Sequence, residues 1–209
     1  MLVDFGEILE SCRLSDGPAV KGGDMKLGTL VLLLALVTAP ACGGGGGSDS
    51  GVGPSPSPLS ADFVPDQPAP GAKTVAMLRA SKSNDVVSVY VTLTDTAGVY
   101  GTAFEVVFDG AGAAYLGYTH GVVFEVGGNA PAYTVDGSSN PGRIVVGVAR
   151  TNGTTTNVVG SKAVLVLQFR VKQAGIFPVT LQNRVVYDGQ VPPLPISPIQ
   201  WFGGAIKGV

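Results

Sequence analysis

Three observations predict an all-β protein, an antiparallel sandwich or barrel. Val, Thr, Tyr and Gly dominate the second half of the chain, where Glu and Lys are sparse. Apolar residues recur at every second position in several short segments, the period of a half-buried strand. Gly-, Pro- and Asp-rich turn signals separate those segments at regular intervals, with no helical period between them. Charged residues are 13% of the whole, about half the usual share of ~25%.

The segments ahead of the strands read as export machinery. From Met25 the chain has a basic residue (Lys26), an apolar run over 30–37, and small residues at Ala39-Pro40-Ala41 before Cys42. The run is too short to span a bilayer, which takes about 20 residues, and suits a signal-peptide core. Residues 25–41 are therefore expected to be a cleaved signal. Residues 1–24 carry Asp4, Glu7, Glu10, Asp16 and Asp24 where such a signal should be basic, and are expected to be a mis-assigned extension. The cleavage region resembles a bacterial lipoprotein signal, in which the cysteine at the first mature position is acylated. Ala39 departs from the usual Leu at −3, and an ordinary signal peptidase would cut the same bond. The Gly43–Gly47 run and Ser48-Asp49-Ser50 that follow would suit a tether on a lipid-bearing Cys42. The expected site is exported and anchored to the envelope membrane through that lipid.

Residues 42–71 are rich in Gly, Ser and Pro and are expected to be a linker, since such a stretch cannot bury a core. The domain is then expected over 72–209. Cys12 and Cys42 both precede it, so it has no thiol chemistry of its own. Of 13 basic and 15 acidic residues, three and five lie before Cys42, leaving ten of each beyond. That balance gives no footprint for nucleic acid.

Nine strands are expected. They are 75–80; 87–94, with Val87, Val89, Val91 and Leu93 in phase; and, after a turn at Thr96-Ala97-Gly98, a third with Phe104, Val106 and Phe108 in phase. Then come 114–119, 132–135, and, after the turn 136–142, the sixth at 143–150 with Ile144, Val146 and Val148 inside. A polar loop over 151–160 precedes the seventh, with Leu165, Leu167, Phe169 and Val171 in phase. Val179 and Leu181 mark the eighth, and 205–209 the ninth.

Four segments together resemble a cohesin domain. Val87-Ser-Val-Tyr-Val-Thr-Leu-Thr-Asp95 looks like its second strand. Val99-Tyr-Gly-Thr-Ala-Phe-Glu-Val-Val-Phe-Asp109 with Tyr115-Leu-Gly-Tyr-Thr-His-Gly121 resembles its turn glycine, aromatic-rich strand, short strand and glycine. Gly160 with Ala163-Val-Leu-Val-Leu-Gln-Phe-Arg-Val171, and Gly203-Gly-Ala-Ile-Lys-Gly-Val209, are similar to its last strands. Phe108-Asp109 stands where the family has Tyr-Asp, and no Pro follows it. The resemblance implies a nine-stranded antiparallel β-sandwich with jelly-roll topology. It implies a binding module rather than an enzyme, whose partner is a dockerin-like or other extracellular protein. A polysaccharide partner, or a structural role in a cell-surface assembly through an exposed strand edge, is the alternative.

In the cohesin arrangement strands eight, three, six and five share a sheet whose outer face receives the partner. Alternation then points Ala103, Glu105 and Val107, Val145, Gly147 and Ala149, Thr180 and Gln182, and Ala132 and Thr134 outward. That face would be flat and small-sided, with Glu105 its one charge and Gly147 opposite it. Other chemistry is sparse. His120 is the single histidine, so neither a Ser-His-Asp set nor a metal site is expected, and no cofactor. Asp109 and Asp136 flank glycine turns and are expected to bond their own backbones. Trp201-Phe202 is expected to pack rather than to stack on a sugar. Asn152-Gly153-Thr154 matches a glycosylation pattern only formally.

Overall fold

The structure, a computed structural model, describes residues 58–125 and 130–209. The extension, the signal segment and Cys42 lie outside the described residues. Within them are ten strands and no helix: β1 (Ala61–Pro65), β2 (Thr74–Ser83), β3 (Val86–Phe108), β4 (Ala113–His120), β5 (Ala132–Asp136), β6 (Arg143–Ala149), β7 (Thr156–Val171), β8 (Gly175–Asp188), β9 (Gln200–Phe202) and β10 (Gly204–Gly208). The fold is all-β, a β-sandwich built around β3.

β3 serves both layers. Its first half, 86–94, lies between β2 and β7, with β9 beyond β2 and β4 beyond β7. Its second half, 99–108, lies between β6 and β8, with β5 beyond β6 and β10 then β1 beyond β8. Every pair is antiparallel except β2–β9, which is parallel and three residues long.

The corner of β3 corrects the expected turn at Thr96-Ala97-Gly98. Asp95 (φ 39°) and Gly98 (φ 68°) take left-handed conformations, which bend the strand without ending it. β7 bends beside it at Gly160 (φ 66°), whose amide donates to Asp95 Oδ1 at 2.6 Å. The Gly98 amide donates to Asn157 Oδ1 at 2.9 Å. The expected loop 151–160 is therefore shorter, because β7 begins at Thr156 and pairs with the corner through Thr156↔Val99 and Val158↔Thr96.

The core sits where the two layers face each other. Val87, Val89, Val91 and Leu93 are fully buried, as are Leu165, Leu167 and Phe169 of β7, and Phe104, Val106, Ile144 and Val146 from the other layer. Phe108 meets Phe169 edge to face, with ring centroids 5.2 Å apart.

Two strands were not expected. β1 lies inside the expected linker: Ala61 and Phe63 are buried, and the strand pairs with β10 from Ala61↔Gly208 to Pro65↔Gly204. The linker thus stops short of residue 71. β9 is the other. With the expected second and third strands fused into β3, the count becomes ten rather than nine.

Candidate functional site

The register of β8, β3, β6 and β5 sets out a face in four rows. One row is Tyr187–Gly101–Ala149–Ala132, and the next is Val185–Ala103–Gly147–Thr134. The third is Gln182–Glu105–Val145–Asp136, and the fourth is Thr180–Val107–Arg143. All ten residues expected on the outer face fall in this grid. Ala103, Glu105, Val107, Gly147 and Ala149 are half-buried, while Ala132, Thr134, Val145, Thr180 and Gln182 are exposed. Their strand neighbours Phe104, Val106, Ile144, Val146, Val148 and Leu181 are buried, as alternation requires.

The middle of the grid carries small side chains. Gly147 lies opposite Ala103, not Glu105, and a Cβ added to it would meet only the Thr134 Cβ, at 3.9 Å. The position is open and faces outward.

Charge is confined to the third and fourth rows. Glu105 is not alone there: the Arg143 guanidinium donates to its carboxylate along the diagonal of the β3–β6 pair. Glu105 is mostly covered, its side chain 14% exposed, so Arg143, at 43%, is the member a partner would meet. Asn140, Gln182 and Asn183 line a shallow polar recess beside the pair. Asp136, in the third row, turns its carboxylate to the following loop. There the Ser139 and Ser138 hydroxyls and amides hold it at a pKa of about 2.

Val185 and Tyr187 were not expected on this face. Between Gln182 and Val185, β8 bulges, with Asn183 at φ 44°, so the outward parity changes from even to odd positions. The run Gln182-Asn183-Arg184-Val185-Val186, which breaks the apolar alternation, is the signal that marks it. Arg184 leaves the face altogether, its guanidinium 5.9 Å from the centre of the Trp201 ring.

The remaining candidates have structural surroundings. Trp201 packs against Phe104 with centroids 5.9 Å apart. His120 stacks on Tyr133 at 4.0 Å, and the Tyr133 hydroxyl donates to the Val164 carbonyl at 3.1 Å. Burial raises the Tyr133 phenol pKa. Asp109 Oδ1 accepts from the Ala111 amide at 2.8 Å, within its own turn. Asn152 Oδ1 accepts from the Thr154 amide and hydroxyl in an exposed loop. Among the described residues no group of three His, Cys, Asp or Glu stands ready to hold a metal ion.

Comparison with solved structures places the architecture. A type II cohesin domain from the cellulosome of Acetivibrio cellulolyticus superposes with a TM-score of 0.50 at 13% identity, over 71% of this chain and 94% of that one. The fold is cohesin-like. A type II cohesin dyad from the adaptor ScaA scaffoldin of the same organism gives a TM-score of 0.51 at 11% identity, over 69% of this chain and 47% of the dyad. No protein-family model matches the sequence, and neither does any curated protein sequence. At such identities the cohesin likeness is one of fold.

Proposed function

We propose that this chain is a non-catalytic, exported binding protein whose cohesin-like sandwich docks a protein module on the β8–β3–β6–β5 face. The observation that carries this reading is the four-row grid. A solvated antiparallel face is ordinarily polar. Here the two central strands present Ala103, Val107, Val145, Gly147 and Ala149 outward, and their one acid–base pair, Glu105–Arg143, neutralises itself. Small side chains around a glycine let a partner backbone or helix approach closely. An uncharged centre with a polar recess at one side suits a protein surface desolvated at its middle and hydrogen-bonded at its rim. A dockerin-like module is the partner that the sequence resemblance implies.

The same reading takes Cys42 as lipidated, with the Gly/Ser/Pro stretch after it as the tether to the cell envelope. Mass spectrometry of the mature N-terminus tests this part: an acylated Cys42 is expected, and an unmodified Cys42 in the culture fluid counts against it.

A polysaccharide partner has less support. Exposed, coplanar aromatic rings would favour it. Here Trp201 leans on Phe104, and His120 covers a face of Tyr133.

The test is capture by the immobilised chain beside its Gly147→Arg variant. A protein retained by the first and lost by the second, with both folded, supports the reading. One retained equally by both removes the face from the account.

A further inference from the structure

β1 is an edge strand of its layer. It is a short strand with Val64 53% exposed, and among the described strands it pairs only with β10. The free side of an edge strand is a template on which a second chain can pair, and shortness, proline and charge are what blunt it. The backbone of β1 shows how that pairing is prevented.

Ser60 and Val209 exchange both hydrogen bonds, at 2.7 and 2.9 Å, and the Asp66 amide donates to the Gly203 carbonyl. By the alternation of an antiparallel ladder, residues 60, 62, 64 and 66 point their amides at β10, and 61, 63 and 65 point theirs away. Each of these three outward positions is closed in a different way. The Ala61 amide donates to the Asn84 carbonyl of the β2–β3 turn at 2.6 Å. Pro65 has no N–H. Between them the Phe63 amide donates to the carboxylate of its own neighbour, Asp62 Oδ1, at 2.8 Å. That carboxylate is held in position by two cations of β2, Arg79 Nη1 at 2.8 Å and Lys82 Nζ at 3.1 Å.

We propose that Asp62 is an edge clasp, whose side chain occupies the central free donor of β1 and so keeps a second copy of this chain from adding a strand there. Of the three closures it is the central one, and the one in which a side-chain acceptor occupies an N–H that is otherwise free. The device stands apart from the partner-binding face, since its residues lie on β1 and β2.

The experiment compares purified wild type with Asp62→Ala and Asp62→Asn. Amide hydrogen exchange is read at Phe63, sedimentation over a range of concentrations gives the oligomeric state, and a thermal melt accompanies each. Asparagine keeps an oxygen acceptor on the Phe63 amide but drops both ion pairs. Asp62→Ala is expected to exchange at Phe63 at least about tenfold faster and to form dimers as concentration rises. Asp62→Asn is expected to stay monomeric with Phe63 protected. A monomeric Asp62→Ala overturns the proposal, whatever its exchange rate, and so does an Asp62→Asn that dimerises. If Asp62→Ala does not fold, Asp62→Asn decides: a protected, monomeric form upholds the clasp, and an unprotected Phe63 ends it.

Discussion

Gly147 of β6 lies directly opposite Ala103 of β3, and the space above it is open to solvent. A large side chain at 147 therefore points into whatever docks on the face and not into the core. Gly147→Arg is expected to fold with a melting temperature within a few degrees of wild type, since an outward substitution on a strand costs about 1 kcal/mol or less. It is expected to abolish partner binding by steric block. An unchanged affinity in a folded variant would remove the face assignment. An unfolded variant would contradict the outward orientation.

The Glu105–Arg143 pair makes a separate prediction. Arg143 stays in contact with solvent and glutamine keeps an acceptor for it, so Glu105→Gln is expected to change stability by no more than about 1 kcal/mol. It exposes an uncompensated guanidinium beside the polar recess, and so should act on recognition. Partner affinity in Glu105→Gln should become more salt-dependent than in wild type. Titration calorimetry at low and high salt measures this, and equal salt slopes would argue that the partner does not meet Arg143.

A fragment starting at residue 72 omits β1 and with it the buried Phe63. Loss of a buried Phe side chain alone costs about 3–5 kcal/mol. The fragment is therefore expected to melt at least about 10 °C below a fragment starting at residue 58. Equal melting temperatures would show that β1 is an ornament on the fold.

Acid should expose the carboxylates. Asp62 is held at a pKa of about 2, chiefly by the Arg79 hydrogen bond and further by Lys82 and the Phe63 amide, while burial opposes them. The Ser139 and Ser138 contacts hold Asp136 at about 2, and Asp188 is lowered by the Leu194 and Gln190 amides. Each folded-state pKa lies below the unfolded value. For Asp62 and Asp136 the associated stability is thus complete above about pH 4 and is lost as pH falls through about 2, and the Asp188 contribution is lost in the same direction. Melting temperature should drop over that window, and less steeply in Asp62→Asn than in wild type. Parallel curves for the two would mean that Asp62 carries none of the loss.

Much of this architecture is legible in the side-chain alternation. Phe104, Val106 and Phe108 against Ala103, Glu105 and Val107 fix both the strand and its outward face, because period two leaves no other burial of three large apolar groups. The same holds for Ile144, Val146 and Val148. What alternation does not carry is the register between strands, which loops and bulges decide. Hence alternation alone sets Gly147 opposite Glu105 and leaves Glu105 a lone charge, whereas Gly147 stands opposite Ala103 and Arg143 reaches Glu105. The bulge at Asn183 likewise hid Val185 and Tyr187. β1 was missed because its two buried residues sit among prolines in a segment with the composition of a linker. The corner at Asp95 and Gly98 carries the same residue types as a turn, and only long-range pairing with β7 tells the two apart.

Because β3 passes unbroken from one layer to the other, Val91 in the depth of one sheet and Glu105 on the surface of the other ride on a single beam. β7 braces that beam at its elbow through Asp95 and Asn157. The proposed docking face is therefore continuous, through β3, with the layer behind it. If a partner docks on that face, its central strand is already held from behind, which would limit the ordering entropy spent on the encounter.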